Sequence, residues 1–174
     1  PCSGTLQACV DSRTQYTRIE IATTTAVDEN IHPGVHSLWL APAPGVQAGF
    51  APGRRISGEL VNPAGQLLAV TGLDFTDGGI DVHCSGGGHA QLVFRDLDLV
   101  NPGSSGSAIR IGATSACVAE SLVYGNRING SPDGFNAGLI DISADGGTLL
   151  ASIAFNNLER HHGGGVGGGI RVAI

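Results

Sequence analysis

The side chains that could carry chemistry here are carboxylates, guanidinium groups and a few imidazoles, because the sequence holds no Lys. Asp96 and Asp98 flank Leu97, and two carboxyl groups about 5 to 9.5 Å apart can act as the acid and base of glycoside cleavage. With Asp133, or with Arg110 as the alternative base, they are the set through which the chain would act as a polysaccharide lyase or hydrolase. Asp74, Asp77, Asp96 and Asp98 offer the oxygen ligands that Ca²⁺ takes, but Asp at a bend is ordinarily a turn residue. No cofactor is expected. His161 and His162 are adjacent; on an extended segment they point to opposite sides, with no carboxylate at ligand spacing, so a solvated loop fits better than a metal site. The runs Gly86–Gly88, Gly163–Gly165 and Gly167–Gly169 are followed by neither a helix pattern nor a Lys. They read as corners, not as phosphate loops.

Composition limits the functions further. A chain of 174 residues is one domain with room for a core. Hydrophobic residues reach 41%, aromatic ones only 5%, and there are 28 Gly, a profile of short aliphatic strands joined by tight turns. A net charge of -6 leaves no basic face for phosphates, so nucleic acid is not an expected partner. No stretch approaches the roughly 18 apolar residues of a membrane span. Four Cys fall as two pairs, Cys2 with Cys9 and Cys84 with Cys117, which suits an oxidising compartment and a secreted or cell-surface location.

The elements that must position these residues come from an internal repeat. Ile56, Ile80, Ile109, Ile140 and Ile170 follow one another at steps of 24, 29, 31 and 30 residues, within the range of solenoid repeats. Val70, Phe94, Val123 and Ile153 keep nearly the same succession, 24, 29 and 30. A third apolar position follows each of these at Phe75, Leu99, Ile128 and Leu158, so each coil offers three short strands. Period-2 alternation turns Ile80 and Val82 inward and Asp81 outward. The outer register then stacks Asp81, Arg110, Asp141 and Arg171, whose signs alternate and attract. Exposed pairs contribute about 0 to 1 kcal/mol each, so the buried aliphatic column must supply most of the stability. A Cys84–Cys117 bridge has to cross a turn, because the two lie at offsets of four and eight from Ile80 and Ile109.

On Thr17–Ala22, His36–Leu40 with Ala43–Gly45, Val70–Phe75 and the Phe155–Leu158 bend, the sequence resembles the pectin-lyase-like superfamily of right-handed parallel β-helices. The resemblance runs from Thr17 to Ile174. It implies an all-β, right-handed, single-stranded parallel β-helix of about six coils forming one domain, 1–174, with 1–16 as an N-terminal cap held by Cys2 and Cys9. Lyases of that superfamily use a Lys or Arg base, often beside acidic Ca²⁺ ligands, and its hydrolases use Asp clustered on neighbouring coils. Adhesins, tailspikes and fibre modules look alike, so the resemblance implies fold more strongly than activity.

Connections into the column headed by Ile80 lengthen along the chain, and longer loops tend to carry function. The resulting lip spans Asn101–Ser107, Asn129–Ala137 and Glu159–Gly168, with Asn129, Asp133, Phe135, Asn136, Arg160, His161 and His162 as its candidate glycan-binding residues. Gly163–Gly169 is too soft to hold a catalytic group in place. Arg110 and Arg171 stack among Asp residues, which favours a structural role for both. The expectation is a non-catalytic secreted or surface module, a stalk, adhesin or filament subunit, with a polysaccharide-active enzyme or a carbohydrate-binding module as alternatives. The Ile174 end shows no polar cap, so its expected partners are further coils or another copy stacked head to tail.

Overall fold

The computed structural model describes residues 4–100, 107–130, 138–160 and 169–173, the side chain of Arg160 apart. Helix α1 (Leu6–Asp11) is followed by β1 (Thr17–Ile21), β2 (Leu38–Pro42), β3 (Ala48–Phe50), β4 (Arg55–Val61), β5 (Ala64–Thr71) and β6 (Leu73–Thr76). Next come β7 (Gly79–Ser85), β8 (Gly88–Arg95), β9 (Asp98–Val100), β10 (Ile109–Thr114) and β11 (Cys117–Tyr124). The last are β12 (Arg127–Gly130), β13 (Ile140–Asp145), β14 (Thr148–Ala154), β15 (Asn157–Arg160) and β16 (Ile170–Ala173).

These strands form three parallel sheets. The first is β1-β2-β5-β8-β11-β14, the second β4-β7-β10-β13-β16 and the third β3-β6-β9-β12-β15. From β4 onward the chain visits the second, first and third sheets in turn and then repeats, an arrangement compatible with the β-helix expected from the sequence. The registers follow the ladders read from the repeat. Ile56 pairs with Ile80, Ile80 with Ile109, Ile109 with Ile140 and Ile140 with Ile170. Val70, Phe94, Val123 and Ile153 align likewise, as do Phe75, Leu99, Ile128 and Leu158. Ile56, Ile80, Ile109, Val70, Phe94 and Leu99 are fully buried, and burying one such side chain contributes about 1.5 to 3 kcal/mol.

Two features inside the column are polar or covalent. Cys84 in β7 and Cys117 in β11 are bonded with Cα atoms 5.9 Å apart, tying the second sheet to the first across a corner. Asn126 is buried at the bend between β11 and β12, where the preceding coils carry Leu73 and Leu97. Its amide nitrogen donates to Phe94 O at 3.1 Å and to Asn156 Oδ1 at 2.8 Å, while its Oδ1 accepts from Leu97 N at 3.0 Å. Asn156 in turn donates to Val123 O at 2.9 Å. The amides thus bond backbone groups of adjacent coils in a buried place.

The N-terminal end is closed by α1, whose six residues are too few to give a periodic sequence signal. Thr5 Oγ1 accepts from Ala8 N at 3.1 Å, and the Glu29 carboxylate accepts from Leu6 N at 2.6 Å and Gln7 N at 3.1 Å. Buried Arg13 donates to the carbonyls of Pro33 and His36, and its burial pushes the guanidinium below its ordinary range. Cys9 is disulfide-bonded; Cys2, its expected partner, lies outside the described residues.

Replacing Asn126 with Ala removes a bond to Leu97 N and one to Phe94 O in a buried place. Asn126→Ala is expected to lose about 2 to 3 kcal/mol in urea unfolding, well beyond the cost of an exposed Asn. A loss under about 0.5 kcal/mol would mean the amide ladder is incidental.

Candidate functional site

The outer face of the second sheet brings carboxylate, guanidinium and imidazole side chains into adjacent rows. Alternation turns every second side chain of β4, β7, β10, β13 and β16 away from the core, and the parallel register lines them up in rows. One row is Ser57, Asp81, Arg110, Asp141 and Arg171; the next is Glu59, His83, Gly112, Ser143 and Ala173.

His83 and Asp81 lie two apart on one strand and therefore on one face. His83 Nε2 donates to Asp81 Oδ1 at 2.8 Å, and both side chains are about one-third exposed. Asp81 is held below the usual carboxylate range, first by that hydrogen bond and then by the nearby charges of His83, Arg110 and Arg55, against an opposing effect of burial. Arg110 Nη1 stands 3.9 Å from Asp81 Oδ2. The imidazole leans toward the next coil, where Gly112 leaves room: a Cβ there would lie 2.3 Å from His83 Nδ1. A carboxylate that fixes one ring nitrogen as donor leaves the other as an acceptor, here the Nδ1 that lies over Gly112.

The structure revises several expectations. Asp141 belongs to the outer row as expected but is buried, its side chain only 8% exposed. It accepts from Arg171 Nη1 at 3.0 Å while its Oδ1 has no partner. Alternation states which face a side chain leaves from, not whether that face is covered. Asp96 and Asp98 are engaged by different arginines. Asp96 occupies a left-handed corner with φ 55° and pairs with Arg95 at 2.8 Å. Asp98 stands on the third sheet and accepts from Arg127 Nε at 3.0 Å, raising the already high Arg127 value further. Asp74 is in register with Asp98 and accepts from Gln47 at 2.9 Å, and Asp77 is a left-handed turn residue. Among the described residues no group of three His, Cys, Asp or Glu side chains could hold a metal ion.

Of the expected lip, Asn129 donates to Glu159 Oε2 at 3.1 Å, and the backbone of Arg160 pairs with Gly130 at the end of β15. Asp133, Phe135, Asn136, His161 and His162 lie outside the described residues. His83 is the residue that the sequence reading passed over. Its signal was present in Asp81-x-His83 on an alternating strand with Gly112 one ladder step away.

Comparison with protein-family models, with curated proteins and with solved structures finds no match to this chain.

The lowered value of Asp81 sets a pH dependence. A depressed carboxylate adds stability that is present above its unfolded-state value of about 3.9 and is lost as pH falls through the lower folded value. Wild type is therefore expected to exceed Asp81→Asn in stability from neutral pH to about pH 4, with the margin closing below that. Thermal unfolding across pH checks this, and a margin that persists at pH 2 refutes the assigned cause.

Proposed function

We propose that the chain is a structural module of a right-handed parallel β-helix of about six coils, secreted or displayed at a cell surface, where it serves as a stalk, adhesin or filament segment. On this reading its likeness is to the fold of the pectin-lyase-like proteins and not to their catalysis. One observation carries the reading: the charged groups that could catalyse are paired with each other, mostly from coil to coil. Arg127 holds Asp98 at 3.0 Å, Arg171 holds Asp141 at 3.0 Å, and Arg110 approaches Asp81 at 3.9 Å. Each pair joins residues 29 or 30 apart in sequence and one step apart in the ladder. Groups engaged in this way favour one register over its neighbours.

The right hand accords with the strong chirality bias of parallel crossovers, and the buried Cys84–Cys117 bond accords with an oxidising compartment.

The Asp81–His83 pair favours a second reading, a polysaccharide-active enzyme with His83 as general base over Gly112. One experiment separates the two. Incubated with mixed neutral and acidic polysaccharides, the chain is expected to release neither reducing ends nor unsaturated products. Release that disappears in His83→Ala, with folding intact by circular dichroism, would replace the structural reading with the enzymatic one.

A further inference from the structure

In the outer row Glu59, His83, Gly112, Ser143 and Ala173, Gly112 is the residue that strand geometry does not explain. It stands inside β10, where Gly gives up packing and rigidity, and its φ lies outside the left-handed region that would call for Gly. The imidazole of His83 accounts for it. Its Nδ1, Cε1 and Cγ would lie 2.3, 2.9 and 3.2 Å from a Cβ at position 112, so the ring takes the place of the missing side chain. That place is the row position beside Ser143, because Gly112 and Ser143 are in register and neighbouring strands stand about 4.8 Å apart. Strands β7, β10 and β13 each have a paired strand on both sides, so none of these positions belongs to an edge of the sheet.

Ser143 is half-buried and its neighbours in the row are Gly112 and Ala173, neither with a side chain long enough to cover a hydroxyl. Asp81 accepts from His83 Nε2 at 2.8 Å, which leaves the lone pair on Nδ1, the ring atom nearest the gap at Gly112. A carboxylate, an imidazole and a hydroxyl thus follow one another from β7 to β13, in the order by which a serine nucleophile is activated. Arg110 precedes Gly112 by two residues and leaves the strand on the same face. Half exposed and 3.9 Å from Asp81 Oδ2, its guanidinium stands beside the gap as a cation for negative charge developing there. The site is open to water, with the side chains of Asp81 and His83 29% and 33% exposed. One flexible cation in place of fixed backbone donors suits an oxygen ester, whose alkoxide leaves more readily than the amine of an amide. A gap one residue wide suits a small acyl group.

We propose that Ser143 is the nucleophile of an ester-hydrolase site, with His83 as its base, Asp81 positioning the imidazole, and oxygen esters of small acyl groups as substrates. Ser143 Oγ attacks the ester carbonyl, and its proton passes to His83 Nδ1. The ester C–O bond then breaks, and the leaving alkoxide takes that proton and departs as the alcohol. Water, giving a proton to the same nitrogen, attacks the acyl-serine and releases the acid as Ser143 Oγ is reprotonated. The balance is ester and water to acid and alcohol. No glycosidic bond is cut, so the proposal depends neither on the stalk reading nor on the polysaccharide-cleaving one.

The test incubates the 174-residue chain with p-nitrophenyl acetate, quenches it in acid and locates the acetyl group by peptide mass spectrometry, with a fluorophosphonate as a second serine probe. Both labels are expected on Ser143 and on no other Ser. Ser143→Ala and His83→Gln are each expected to lose the label and at least about a hundredfold in kcat/KM, with circular dichroism unchanged. Gly112→Ala keeps every reacting group but sets a Cβ where the ring stands, and is expected to slow labelling about tenfold or more. Absence of label from Ser143 in the wild-type chain, undiminished hydrolysis in Ser143→Ala, or labelling at the wild-type rate in His83→Gln or Gly112→Ala would each overturn the proposal. The first of these outcomes is read on the wild type alone and needs no variant to fold.

Discussion

In a stack of parallel strands in register, every residue lies on its counterparts one coil away, at the strand spacing of about 4.8 Å. The column Ile56, Ile80, Ile109, Ile140 and Ile170 is the direct result. Identical aliphatic side chains stack without clash, and a slip of one residue would turn the whole set outward. The same constraint brings Phe50 over Phe75 with centroids 4.7 Å apart and rings nearly parallel, 6° between planes. It also makes like charges in an outer row repel at close range. The alternation of Asp81, Arg110, Asp141 and Arg171 is therefore an answer to the geometry before it is a candidate for chemistry.

Places where the column cannot be aliphatic show how the constraint is met otherwise. At the Asn126 bend the backbone of Phe94 presents an acceptor and that of Leu97 a donor, and a side-chain amide with both donor and acceptor can serve both at once. Leu at the equivalent positions 73 and 97 offers no such bond, so the polar solution is local to the later coils. At the neighbouring corner the Cys84–Cys117 bond does covalently what packing does elsewhere, since both sulfurs lie in the apolar interior. Polar and covalent devices sit at corners, where the ladder of backbone hydrogen bonds is interrupted, and the flat faces rely on side-chain burial.

What the sequence disclosed follows from the same regularity. Periodicity is a property of one chain read alone, so three apolar ladders and their registers were legible before any coordinates, whereas the pairing of Cys84 with Cys117 across a turn was left open until the structure joined them. Contacts that depend on how two rows lean against each other were not. Asp81 was placed correctly in its row, but its closest partner, His83, belongs to the adjacent row and reaches it through a ring orientation that Gly112 permits. The burial of Asp141 escaped for a related reason: strand period assigns a face and says nothing of what covers it. Asp96 and Asp98 looked like a pair because two residues apart on a strand share a side. Asp96 is instead a corner residue, and the two carboxylates answer to different arginines.

A repeat supplies its own control, which sharpens functional argument. Equivalent positions face the same backbone geometry, so the residue that geometry alone would select is visible in the other coils. At the corner after the first sheet that residue is Gly at 72 and 125, with Asp at 96. Asp96 departs from Gly within the range of residues that tolerate positive φ, and its carboxylate is engaged by Arg95, so folding accounts for it. Phe155 departs in the opposite direction, placing a bulky ring at φ 56° where it meets Tyr124 of the preceding coil. Gly112 presents the complementary case on the second sheet, a small residue where β7 and β13 carry His83 and Ser143. There the absence of a side chain makes room for a ring from the coil before. Deviations that relieve the stack and deviations that burden it can thus be told apart by what the equivalent positions carry.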